Sequence, residues 1–134
     1  MGRVITLPWS TADPRADISC TVIAGRLPVR SVRDLPAVLA WTRRVRRQLA
    51  TAPGLAGHGA ALDLSGLTLW TVSAWTTRTD LTRFERGEPH QAAESSLRAR
   101  LWPATFAVWT CAADDLPLAW TEIRRRVEVA PRSH

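Results

Sequence analysis

The sequence predicts an α+β fold: a split β-α-β-β-α-β unit followed by one further helix. Three observations carry the prediction. Short β-branched runs and helical stripes alternate along the chain in that order. The stripes are one-sided, apolar on one arc and polar on the other. The clearest strand, Leu67 to Trp75 (LTLWTVSAW), is largely apolar on both faces and is therefore covered on both sides. A chain of 134 residues, 46% hydrophobic and 22% charged, suits one domain burying about 68% of its unfolded surface. That composition excludes disordered, collagen-like and coiled-coil classes.

Each element follows from its residues. Met1 to Ile18 is rich in proline and polar residues and reads as an irregular lead-in anchored by Trp9. Ser19 to Arg26 is β-branched and reads as the first strand, ended by Pro28. Ser31, or Asp34 with Pro36, opens a helix over Leu35 to Ala50. Leu35, Val38, Leu39, Thr42, Val45 and Leu49 share one arc of it at ~100° per residue, with Arg43, Arg44 and Arg47 opposite. Pro53-Gly54 stops that helix.

Gly57 to Leu64 reads as a short glycine-bearing strand, and Ser65-Gly66 as the turn into Leu67 to Trp75. Thr77 or Thr79 caps a helix carrying Leu81 and Phe84 and ending at Gly87. Pro89 suits the first turn of the next helix, which runs to about Leu101. Thr105 to Cys111 is a strand. Asp114-Asp115 with Pro117 starts the last helix, with the stripe Leu116, Trp120, Ile123 and Val127, and the tail from Pro131 frays.

This order is that of the ferredoxin-like split motif, an antiparallel sheet with helices on one face. The other face, carrying Trp70 or Trp75 and Trp109, is expected to be closed by a partner, two such sheets pairing as a homodimeric α/β barrel.

The charge balance is 18 cations against 12 anions, and every cation is arginine. The runs Arg43, Arg44, Arg46, Arg47 and Arg124 to Arg126 are either solvated faces, with some arginines pairing acids or covering apolar surface, or partners for phosphate and other anions. RNA binding is set aside because the aromatic and glycine pattern of an RNA-recognition sheet is missing from both predicted central strands. Cys20 and Cys111 lie far apart, without metal-ligand spacing, and read as buried thiols. No run reaches the roughly 18 apolar residues of a membrane span. No signal pattern opens the chain, which predicts a cytoplasmic protein. Nucleotide-binding loops, nucleophile elbows and zinc-protease motifs are absent.

His90 shares a stripe with Ala93, Leu97 and Leu101, so its imidazole turns inward, either as a satisfied core histidine or as a ligand. His58, between Gly57 and Gly59, is either a solvated strand residue or an acid/base group pointing into the barrel. Trp70, Trp75 and Trp109 are candidates for the wall of an apolar pocket, with Thr71, Ser73 and Asp63 positioning its ligand.

The run from Leu67 to Trp75, the capped helix with Leu81 and Phe84, and Gly87-Glu88-Pro89-His90 with its small-residue helix resemble the spheroidene monooxygenase-like family. That family sits in the dimeric α/β barrel group with the small antibiotic-biosynthesis monooxygenases. The likeness extends from about Val22 to Trp109. It implies an oxygenase that tailors a hydrophobic or aromatic small molecule in secondary metabolism. It further implies haem, with His90 as ligand to the iron. A cofactor-free monooxygenase or cyclase, and a non-catalytic haem or small-molecule binder, are the alternatives.

Overall fold

The computed structural model describes residues 4–11, 19–88 and 90–130. They form a single five-stranded antiparallel sheet and four helices: β1 (Val4–Thr11), β2 (Ser19–Pro28), α1 (Leu35–Leu49), β3 (Leu55–Asp63), β4 (Thr68–Trp75), α2 (Arg78–Arg86), α3 (His90–Leu97), β5 (Thr105–Ala112) and α4 (Trp120–Glu128). The strand order is β1-β3-β4-β2-β5. Removing β1 leaves the β3-β4-β2-β5 order of a ferredoxin-like sheet, so the expected fold class is the observed one.

The lead-in expected to be irregular contributes β1. Val4, Ile5 and Thr6 supply β-branched residues, and the strand pairs with the edge of β3 from Val4↔Asp63 to Thr11↔Gly57. The register shifts between Leu7 and Ser10, where Pro8 removes a donor. Trp9 lies against β3: a Cβ on Gly57 would come within 2.7 Å of its ring, and one on Gly59 within 3.2 Å. The two glycines thus give room to the chain's own indole.

The two sheet faces carry different layers. On one, Leu69 and Leu62 pack under α1 and α3, while Trp75, Leu55 and Ile23 pack under α1 and α2. The expected α1 stripe holds, with Val38 and Leu49 buried. On the other, Val22, Ala24, Trp70, Val72 and Ala74 pack against Ile123 and Val127 of α4, with Trp9, Trp109 and Trp120 beside them. The face expected to wait for a partner is covered by the chain's own last helix. The split motif itself places its helices on one face, and the extra helix α4 takes the other.

Two helix boundaries also shift. α3 ends at Leu97 rather than near Leu101, because Leu101 bridges to Val29 and the Trp102 N–H bonds to Pro28 O at 2.9 Å. The last helix begins at Trp120. Only a 3-10 turn forms at Ala113–Asp115, since Leu116 is extended ahead of Pro117. Pro89 and the tail from Pro131 lie outside the described residues. No helix among the described residues is long and apolar enough to cross a membrane.

Candidate functional site

Between the sheet and α1, α2 and α3 lies a cavity of about 660 Å³, within the range of small-molecule sites. Its apolar wall comes from Leu27, Trp41, Val45, Leu69, Phe84 and Leu97, and from Phe106 and Trp102 near β5. The exposed Arg30 guanidinium stacks over Trp102 at 4.4 Å, and Arg44 over Trp41 at 4.7 Å. Polar groups facing the same space are His58, Thr71 and Ser73 from the strands, Thr42 and Arg46 from α1, and Glu85, His90, Glu94 and Arg98 around α2 and α3.

His58 and His90 therefore reach one cavity from opposite layers. His58 is only 5% exposed, so the solvated alternative is ruled out. β3 is an interior strand, paired on both sides, and its helix-facing row is buried. His58 Nδ1 lies 3.5 Å from Arg46 Nη1. Burial, reinforced by the charge of Arg46, pushes its pKa down to about 4. The ring is neutral at pH 7. A guanidinium only donates, so Nδ1 accepts and the ring proton sits on Nε2.

His90 is held the other way round. Its backbone N–H donates to Gln48 Oε1 at 3.0 Å, which fixes the start of α3 against the end of α1. Its Nδ1 lies 3.1 Å from the Glu85 carbonyl. A carbonyl only accepts, so Nδ1 carries the proton and Nε2 keeps a lone pair in the neutral ring. Phe84 packs on the imidazole, with centroids 5.3 Å apart.

Thr71 and Ser73 line the cavity on β4, where Ser73 is the direct cross-strand neighbour of His58 and Thr71 that of Ala60. The three strand tryptophans do not line it. Trp70 and Trp109 face α4, stacked under Arg124 at 4.7 Å and Arg126 at 5.0 Å. Trp75 is on the cavity side but fully buried behind it. Its indole N–H donates to Ser73 Oγ at 2.8 Å, and its ring packs on Phe84 at 5.2 Å. Asp63 lies away from the cavity: its Oδ1 accepts from the Ser65 and Gly66 N–H groups, both at 3.1 Å, and holds the β3–β4 turn.

The sequence reading missed Arg46, Trp41 and Trp102. Arg46 had a signal: it follows Thr42 by four residues and precedes Leu49 by three, which places it on the helix face that lines the cavity. The second arginine run is a solvent-facing surface whose arginines pair with acids and cover apolar rings, as expected. Arg125 and Arg126 both pair with Glu122, at 2.7 and 2.8 Å, and Arg124 reaches Asp63 at 4.0 Å. Cys20 and Cys111 are cross-strand neighbours without a disulfide. Among the described residues, no group of three or more histidines, cysteines and acids is placed to hold a metal ion.

No protein-family model matches the chain, and no curated protein matches it in sequence. Solved structures do match in shape. A candidate monooxygenase from Lactobacillus acidophilus superposes with a TM-score of 0.63 at 7% identity over 84% of this chain, which spans only 52% of that protein's length. A candidate antibiotic-biosynthesis monooxygenase from Nitrosomonas europaea gives 0.62 at 14% identity, covering 67% of this chain and 88% of its own. SnoaB from Streptomyces nogalater, a cofactor-independent oxygenase, gives 0.58 at 17% identity, covering 69% and 93%. None of these three is named as a spheroidene monooxygenase. At such identities the likeness establishes architecture: the chain has the ferredoxin-like fold of the antibiotic-biosynthesis-monooxygenase type.

Proposed function

We propose that the protein is an oxygenase-like enzyme that oxidises a flat, hydrophobic small molecule in the cavity between the sheet and α1 to α3, without a cofactor. One observation carries this reading: a single apolar cavity holds two imidazoles fixed in opposite tautomers, one offering a lone pair and the other an N–H. His90 is the general base and takes a proton from an acidic C–H or O–H of the substrate. The electron-rich anion then reacts directly with oxygen. For an activated methylene the products are the carbonyl compound and water, so the substrate supplies all the electrons. SnoaB, of the same fold, is a cofactor-independent oxygenase.

A haem reading is favoured by a separate observation. A histidine whose Nδ1–H bonds a backbone carbonyl presents Nε2 as metal-bound imidazoles do. The residues fit that group: His90 would hold its iron, and Arg30 and Arg98 would pair with its carboxylates. Bound there, haem would supply an iron centre for activating oxygen or peroxide.

The test is oxygen uptake with a panel of flat phenols, hydroquinones and activated methylene compounds, alongside the visible spectrum during haem titration. Substrate-dependent uptake that falls about 100-fold in His90→Gln is expected from loss of a general base. No uptake with any member of the panel, while the same compounds still bind, would make the protein a binder instead. A saturable Soret band lost in His90→Ala would move the reading to haem.

A further inference from the structure

The cavity takes polar groups from both layers. On the helix side stand acceptors and donors together: Glu85, Glu94 and the lone pair of His90 beside Thr42, Arg46 and Arg98. On the strand side the available hydrogens are donors. His58 accepts from Arg46 at Nδ1, so its Nε2 carries a proton, and nothing among the described residues accepts it. Ser73 Oγ accepts the Trp75 N–H at 2.8 Å. An indole only donates, so one lone pair of Ser73 is occupied and the hydroxyl proton turns elsewhere. His58 and Ser73 are direct cross-strand neighbours on the same sheet face, which sets their Cβ atoms about 5 Å apart. A single oxygen atom can meet both donors at that separation. No carboxylate enters from the strands, and Arg46 adds positive charge behind His58.

We propose that His58 and Ser73, backed by Arg46 and oriented by Trp75, form an oxyanion subsite that selects flat apolar molecules bearing an ionisable oxygen. The subsite rests on the cavity being the ligand site. It assigns the substrate class: an enolate, phenolate or carboxylate oxygen seats at the strands, and the carbon skeleton lies along the apolar wall. His58 is then a donor and not a base. Neutral imidazole suits this role because it stabilises negative charge without bringing a proton that the anion would take. Trp75, which never touches the cavity, acts as a positioning residue through Ser73.

Calorimetric titration with 2-naphthoate and naphthalene at pH 7 tests the proposal. The wild-type protein is expected to bind 2-naphthoate at least about 10-fold more tightly than naphthalene, the scale of one charge-assisted hydrogen bond. His58→Leu erases that preference and leaves naphthalene binding in place. Ser73→Ala and Trp75→Phe each reduce it about threefold, and they serve if the leucine variant does not fold. Equal binding of both probes by the wild type, or a preference that survives all three substitutions, overturns the subsite and leaves the cavity reading standing. Failure of both probes to bind overturns the cavity as a ligand site, and the subsite with it.

Discussion

His58 shows how one strand position acquires a function. Its neighbours Gly57 and Gly59 carry no side chain, and the indole of Trp9 closes over that face. The imidazole, on the opposite face, lies in a buried row of the strand with Ala60, 3.5 Å from Arg46 of α1. Since its folded pKa of about 4 lies below the roughly 6.5 of an unfolded histidine, the unfolded chain binds the extra proton between those values. Stability contributed by the neutral ring is complete above about pH 6.5 and drains away as the pH falls toward 4, by up to about 3 kcal/mol. Urea unfolding of the wild type and His58→Leu across pH 4 to 8 should show that loss in the first and not in the second. Parallel pH profiles for the two proteins would contradict it. The inward turn of His90 was readable from its spacing to Ala93 and Leu97, both buried in α3. The burial of His58 was not. It depends on α1, whose Arg46 approaches the ring, and the strand's own residues do not say which layer they meet.

At the level of elements, periodicity located α1, β2 and β5 because each buries one face, and β4 because it is apolar on both. It failed where context decides. β1 is a strand only because β3 offers an unpaired edge, and the turn after α3 is set by the Val29–Leu101 bridge rather than by local propensity. The amphipathic stripe of α4 was legible, with Ile123 and Val127 buried, but a stripe does not say which face of the sheet it meets. The strand tryptophans were misplaced for the same reason: alternation separates Trp70 from Trp75 without saying which of them faces a cavity. If α4 is the cover of the second sheet face, Ile123→Asp should dislodge it and expose Trp70, Val72 and Val22. Burying an unpaired charge there costs more than about 3 kcal/mol, and light scattering should show self-association of the variant. A variant with the wild-type scattering mass and unchanged stability would show that α4 is not needed over that face.

For the described residues as a whole, two layers close over one sheet, and the cavity described above lies in one of them. The homodimeric barrel implied by the resemblance needs a sheet face that α4 already occupies, so any pairing must use another surface or displace that helix. The residues holding the cavity's chemistry come from β3, β4, α1 and the α2–α3 junction, segments that no single motif spans. Trp75 links them, through Ser73 to the strand side and through Phe84 to His90. The architecture was legible from element order, and the membership of the site was legible in part. Its internal polarity was not, because a tautomer is set by partners such as Arg46 and the Glu85 carbonyl that the linear pattern does not bring together.

The measurement that bears most directly on the account is the long-range ¹⁵N spectrum of the imidazoles at pH 7, assigned with His58→Leu and His90→Gln and repeated with 2-naphthoate. The account predicts His58 protonated on Nε2, His90 on Nδ1 when neutral, and both rings shifted by the ligand together. The opposite tautomers, or a ligand that moves neither ring, would contradict it.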